Sequence, residues 1–104
     1  MIFELRTYQI KVGKIAHYVK QFEEKGLPIV SRYCKIEGYW TTEIGELNQV
    51  VNLMSFPDLE ERRKAREKWW QDREWLEEYL PLALPLVLRQ ENKILAPVPF
   101  SPIR

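Results

Sequence analysis

The sequence is poor in the residue types that build several common kinds of site. Its 104 residues include one cysteine, Cys34, and one histidine, His17. A single cysteine cannot form an internal disulfide framework and is typical of a reducing compartment. Clusters of cysteine, histidine and aspartate with metal-site spacing are absent, as are a glycine-rich phosphate loop and a serine nucleophile elbow. We therefore expect neither a metal ion nor a cofactor.

The chain also lacks an excess of one charge and a long apolar run. Lysine and arginine number 16 against 15 aspartate and glutamate, and the two signs are interspersed, so no basic stripe is available for nucleic acid. The longest apolar run begins at Tyr79, carries two prolines and is shorter than the roughly 20 residues that cross a bilayer. The strand-like start, with Glu4 and Arg6, does not resemble an export signal. We expect a cytoplasmic protein without a membrane span or a nucleic-acid partner.

Strand and helix patterns follow one another along a chain of single-domain size, residues 1–104. Residues 2–10 alternate and predict a first strand. Apolar side chains at helical spacing then predict a helix over residues 13–33. Because Pro28 removes one of its hydrogen bonds, we expect a kink near Gly26 or, as the alternative, two shorter helices.

The rest of the chain predicts a hairpin, a helix and a last strand. Residues 36–43 and 47–56 have strand composition and are separated by a short spacer that contains glycine. Asp58 begins a capping box and a charged helix, whose outer face we interpret as solvated. Residues 86–95 predict the fourth strand. This order indicates an α+β fold of the ferredoxin-like βαββαβ type, an antiparallel sheet with both helices on one face.

The alternation along the strands predicts which side chains point away from the helices. With Phe3 and Leu5 toward the helices, Glu4, Arg6 and Tyr8 share the helix-free face. The same choice on the third strand, with Val51 and Leu53 toward the helices, adds four residues to that face: Val50, Asn52, Met54 and Phe56. So much apolar surface indicates a partner, and we expect a second copy of the chain, which gives a homodimer with a closed interior. Arg6 then needs a carboxylate there, from Glu4 or Glu91, and the resulting polar network is either structural or functional.

Four stretches together resemble one known family, the NIPSNAP family, over nearly the whole chain. They are "ELRTY", "GKIAHYVKQFEEKGLPI", "GYWTTEIGELNQVVNL" and "DREW". The resemblance implies a dimeric α+β barrel, a superfamily that includes small monooxygenases, muconolactone isomerases and haem-degrading enzymes. Three positions differ from the family pattern. Val12 replaces a frequent proline, and Asn52 and Met54 stand where many members have a histidine and a tryptophan.

The closed interior of the expected dimer is the candidate site for a small organic ligand. The residues that we expect to bind the ligand are Glu4, Arg6, Tyr8, Trp40, Asn48, Asn52 and Met54. Arg6 suits a carboxylate or enolate oxygen, and Tyr8 can exchange a proton, so these two are the catalytic candidates for a cofactor-free enzyme of the monooxygenase or isomerase type. The alternative is a non-catalytic interaction or scaffolding module, because dense tryptophans and tyrosines also anchor protein partners.

The lone histidine and the lone cysteine do not strengthen a catalytic interpretation. His17 lies away from the apolar stripe of the first helix, so we expect it on the surface. That position argues against haem, which usually takes an axial histidine in its pocket. We expect Cys34 to be a buried, inert thiol.

Overall fold

The structure, a computed structural model, describes residues 1–104. Its main elements are β1 (Ile2–Ile10), α1 (Ile15–Gln21), α2 (Leu27–Val30), β2 (Lys35–Thr41), β3 (Gln49–Phe56), α3 (Leu59–Trp69), α4 (Leu80–Ala83) and β4 (Val87–Leu95). The four strands form one antiparallel sheet in the order β2-β3-β1-β4. This is the ferredoxin-like arrangement that the order of patterns predicted. No helix is long and apolar enough to cross a membrane.

The first helical region stays helical from Ile15 to Val30 without the predicted break. A π-helical turn, Phe22–Gly26, joins α1 to α2, and the Leu27 N–H donates to the Phe22 carbonyl. Leu27 and Pro28 directly follow this turn, where the wider bonding has already displaced the regular hydrogen bonds of the helix. The irregularity therefore lies where the sequence predicted a kink, and it joins two α-helical segments.

The second helical region has two parts. Asp58 accepts a hydrogen bond from the Glu61 N–H at 2.8 Å, which confirms the predicted start of α3. After Trp69 the chain turns, and Asp72 Oδ1 accepts from the N–H groups of Glu74 and Trp75 at 2.9 and 3.3 Å. These bonds begin a second segment, which runs through a π-helical turn, Trp75–Tyr79, into α4 and a short 3-10 turn. The sequence pattern did not separate the two parts.

The faces of the sheet are the reverse of the prediction. Glu4 is fully buried and accepts a hydrogen bond from Arg62 of α3, so Glu4, Arg6 and Tyr8 face the helices. The partners of this trio in β3 are Met54, Asn52 and Val50, and these three are buried on the same side. The assignment failed because β3 is apolar on both alternations, and because Arg62 of a distant helix donates to the Glu4 carboxylate and so stabilises its buried charge.

The helix-free face carries the side chains that alternate along each strand with those that face the helices. Leu5 pairs with Leu53, Thr7 pairs with Val51, and Trp40 of β2 lies opposite Val51. Leu5, Val51 and Leu53 are partly exposed, and Trp40 is 53% exposed. Phe3 and Ser55 share this face and are 5 and 7% exposed, so part of it is buried within the chain.

Candidate functional site

A cavity of about 90 Å³ lies between the sheet and the helices of a single chain. Of its 19 lining residues, 15 are hydrophobic, which is the usual character of a small-molecule site. Trp70, Leu84 and Gln90 line it and are exposed, so they form its rim. This cavity is lined by the helices and by the helix-facing side of the sheet, so it is a different place from the chamber between two subunits that the sequence predicted.

Stacked aromatic side chains form the helical wall of the cavity. Trp75 packs on Tyr79 with ring centroids 4.8 Å apart and meets Trp69 edge-on at 5.0 Å. On the other side, Phe22 stacks on Tyr39 of β2 at 4.7 Å. Rings held by rings have few rotamers available, so this wall is rigid before any ligand enters.

The two π-helical turns meet at Gly26, and this contact brings the aromatic wall together. A Cβ at Gly26 would lie 2.6 Å from Phe22 Cδ2 and 2.8 Å from Tyr79 Cε1. Only glycine leaves both rings in place at that distance. The glycine therefore positions two side chains that line the cavity.

A cluster of charges forms the polar end of the cavity. Glu4 Oε2 accepts from Arg6 Nη1 at 2.6 Å, and Glu4 Oε1 accepts from Arg62 Nε at 2.5 Å. Arg6 Nε donates to the Tyr8 hydroxyl at 2.6 Å. Arg66 lies farther off, with its Nη1 3.9 Å from Glu4 Oε2. Three guanidinium groups thus share one carboxylate.

Burial and neighbouring charges shift the pKa values of the groups in and beside this cluster. Burial would raise the pKa of Glu4, but hydrogen bonds from Arg62 and Arg6 outweigh it and hold the pKa below its usual value. Burial, together with the neighbouring Arg6 guanidinium, lowers the pKa of Arg66. Burial also raises the pKa of Tyr18, to about 12, so this phenol stays protonated at neutral pH.

Four of the seven predicted ligand-binding residues line the cavity: Arg6, Tyr8, Asn52 and Met54. Glu4 lies beneath them and holds Arg6. Trp40 is on the opposite face of the sheet, where its ring covers Gly38. Asn48 is in the turn before β3, at φ +59°, and its carbonyl accepts from the Ile10 N–H at 2.8 Å. Neither Trp40 nor Asn48 lines the cavity.

The predicted partner of Arg6 is Glu4, while the other candidate, Glu91, pairs with Arg89 on the helix-free face. The prediction missed the helical half of the site: Tyr18, Arg66, Trp69, Trp75 and Tyr79. One signal was available, since Arg62, Arg66 and Trp69 recur at helical spacing within a segment otherwise interpreted as solvated.

The lone histidine lies on the surface as predicted, and the lone cysteine is less buried than predicted. His17 is exposed. Cys34 is partly buried, its sulfur is 3.4 Å from the Met54 sulfur, and burial raises its pKa to about 11. A thiol that stays protonated at neutral pH is a weak nucleophile, so Cys34 adds nothing to the chemistry of the cavity.

The chain matches the NIPSNAP family model over residues 3–102. The chain belongs to the NIPSNAP family. Human Protein NipSnap homolog 3A is 29% identical over 101 residues, which are 96% of this chain and 40% of that protein. The Dictyostelium discoideum Protein NipSnap homolog is 30% identical over 104 residues, with 99% and 40% covered. The chain thus spans about two fifths of the length of these NIPSNAP relatives.

Solved structures agree with the family and with the fold. The Agrobacterium tumefaciens protein Atu4242 is 36% identical, with a TM-score of 0.96 and all of both chains covered. A NIPSNAP domain protein from Burkholderia xenovorans is 34% identical, with a TM-score of 0.94, 98% of this chain and 99% of that chain covered. An antibiotic biosynthesis monooxygenase matches with a TM-score of 0.64 at 16% identity, covering 95% of this chain and 100% of that one. At that identity the likeness shows the fold alone.

Proposed function

We propose that this NIPSNAP protein binds a small organic molecule in the cavity between the sheet and the helices. The observation that carries the proposal is the aromatic cavity itself, into which polar groups of β1, β3 and α3 converge at one end. Arg6, Tyr8, Asn52 and Met54 supply the strand side, with Glu4 as the support of Arg6. An apolar body with one polar end would match this lining.

The catalytic form of the proposal is a cofactor-free enzyme of the monooxygenase or isomerase type. Arg6 would stabilise a developing oxyanion, and Tyr8, which already accepts a hydrogen bond from Arg6, would exchange a proton with the ligand. The support for turnover is the geometry of these two groups and the likeness in fold to a monooxygenase, which by itself is kinship of fold rather than of activity.

We further propose that the protein is a homodimer. Its helix-free face exposes Trp40 and parts of Leu5, Val51 and Leu53, and a sheet face of this kind is usually covered. The same face of a second copy would cover it around a twofold axis. Light scattering should give twice the 12.6 kDa of one chain, and a stable monomer at micromolar concentration would contradict the dimer.

A non-catalytic interaction module is the competing function. The exposed Trp40, Ile44, Leu47 and Phe100, at 53, 94, 72 and 85%, are the observation that favours it. In that case the cavity would have no ligand, and closing it would have no effect on function. Ligand binding in the cavity therefore distinguishes a small-molecule-binding protein from an interaction module.

Closing the mouth of the cavity tests the proposed function. Gln90 is an exposed lining residue of β4, and Gln90→Trp should block entry without disturbing the core. Asn92→Trp is the matched control, because Asn92 lies on the same strand and face, opposite Arg6, but does not line the cavity. A panel of small aromatic acids, amides and alcohols is titrated calorimetrically.

We expect at least one compound of the panel to bind the unmodified protein and the Asn92→Trp variant alike. Gln90→Trp should weaken that binding by about tenfold or more, because even one lost apolar contact group is worth a factor of this order. Binding that is equal in both variants would place the ligand elsewhere. No binding by any compound to the unmodified protein would contradict a small-molecule site of this kind.

A further inference from the structure

The charged cluster contains one arginine that has no partner of its own. Arg6 and Arg62 both donate hydrogen bonds to Glu4. The Arg66 side chain makes no hydrogen bond, and the carboxylate oxygen that it pairs with is that of Glu4, at 3.9 Å. Since Glu4 is the one acid within reach of three arginines, the cluster has more positive than negative charge.

Arg66 is also the arginine of the cluster that the helices bring to the cavity. It lines the cavity, its side chain is 24% exposed, and its guanidinium lies 5.5 Å from the centre of the Trp69 ring. A largely buried cation that shares its one counter-ion with two other arginines is incompletely neutralised, and burial and the nearby Arg6 lower the pKa of Arg66. An anion in the cavity would remove this penalty.

Two indole groups give an independent indication of a missing acceptor. Trp69 and Trp75 line the cavity and are 6 and 7% exposed. The Nε1 atom of each is buried and has no hydrogen-bond partner. Buried donors are nearly always paired, and leaving one unpaired costs free energy. The cavity wall therefore contains a cation that shares its one carboxylate and two indole N–H groups that have no hydrogen-bond partner.

We infer that the cavity is a receptor for a small organic anion, an aromatic or aliphatic carboxylate. Its charged oxygens pair with Arg66 and accept from the indole N–H groups of Trp69 and Trp75, while its apolar body packs on the aromatic wall. Arg6 is already engaged by Glu4 and Tyr8, so it adds positive potential rather than the direct contact. This inference rests on the proposed function, to which it adds the ligand class and the residue that recognises it.

Benzoate and benzamide, which have the same shape and differ in charge, test the inference by calorimetry. The unmodified protein should bind benzoate about tenfold or more tightly than benzamide, because a charge-assisted pair is stronger than a neutral one. Arg66→Gln should weaken benzoate binding by about tenfold or more and leave benzamide binding unchanged. Arg63→Gln is the matched control, since Arg63 is on the same helix but exposed and paired with Glu60 and Glu67. Arg63→Gln should change the binding of neither benzoate nor benzamide.

Each outcome decides between the inference and the proposed function. Equal binding of the two probes, or undiminished benzoate binding by a folded Arg66→Gln, would overturn the inference while the cavity remained a ligand site. Failure of benzoate to bind at up to about 10 mM, weaker than a millimolar contact, would overturn the inference, and failure of the whole panel would overturn the proposed function as well. If Arg66→Gln does not fold, the comparison of benzoate with benzamide on the unmodified protein still tests the inference.

Discussion

At the scale of single residues, Glu4 holds the polar end of the cavity together. Its carboxylate is fully buried and accepts from arginines of two elements, Arg6 on β1 and Arg62 on α3. A buried pair of this kind contributes less than its Coulomb energy, because both groups lose water. Breaking it from one side is different, since the arginines would then remain buried without a counter-charge.

Glu4→Gln should therefore destabilise the protein strongly. The glutamine keeps the size of the side chain but leaves three guanidinium groups without the carboxylate, and we expect the free energy of unfolding to fall by about 3 kcal/mol at pH 7. Urea denaturation measures it. Glu67→Gln, which removes an exposed carboxylate on α3, should have a much smaller effect.

The difference between Glu4→Gln and the unmodified protein should also depend on pH. The pKa of Glu4 is lower in the folded protein than its ordinary value of 4.5. The carboxylate therefore contributes its full stabilisation above pH 4.5, and this is lost as the pH falls through the lower folded-state pKa. Unfolding at a series of pH values should show the difference shrinking toward acid, and a constant difference would contradict the role of the ionised carboxylate.

The sequence named Glu4 as one of two candidate partners for Arg6, but it did not predict the side of the sheet on which the pair lies. Two positions along one strand share a face, so the pairing needs only local geometry. The choice of face depends on α3, because Arg62 makes the interior a favourable place for Glu4. Arg66 could not be recognised for the same reason: its position at the cavity depends on packing between segments about 60 residues apart in the chain.

At the scale of elements, both helical regions contain the same irregular turn. Each contains a π-helical turn directly followed by leucine and proline, at Phe22–Gly26 before Pro28 and at Trp75–Tyr79 before Pro81. Such turns widen a helix and are frequent at functional sites. Here they present Phe22, Trp75 and Tyr79 to the cavity. The prolines are visible in the sequence, but the type of turn is decided by the packing of the two regions.

Gly26→Ala tests the contact between the two π-helical turns. In an open helix this change would stabilise the protein by about 1 kcal/mol. Here the new Cβ would lie 2.6 Å from Phe22 and 2.8 Å from Tyr79, so we expect a loss of roughly 1–3 kcal/mol from overpacking. Urea unfolding measures the sign, with Lys25→Ala as the exposed control on the preceding residue. A stabilising Gly26→Ala would show that the contact is not tight.

At the scale of the whole molecule, the order of strands and helices was enough to predict the ferredoxin-like sheet. Short connections and a hairpin leave few ways to arrange βαββαβ. The reason for expecting a dimer changes with the structure, however. The residues first assigned to the shared surface form the core, and Leu5, Val51, Leu53 and Trp40 occupy the helix-free face instead.

The polar residues of β1 face the helices rather than the helix-free side, so the candidate site also lies on the helix-facing side of the sheet. A pocket between two sheets would lie on the helix-free face, whereas the cavity found here lies on the helix-facing side of the sheet. Each subunit of the proposed dimer would then carry one such cavity. The helix-free face and the cavity become separate surfaces of the molecule.

The indole N–H signals of the tryptophans, recorded on nitrogen-15-labelled protein during a benzoate titration, test the central claim most directly. Trp69 and Trp75 line the cavity, and Trp40 on the helix-free face serves as an internal control. The account predicts that the signals of Trp69 and Trp75 shift and saturate while that of Trp40 stays in place. A shift of Trp40 alone, or no shift in any of them, would contradict a ligand site between the sheet and the helices.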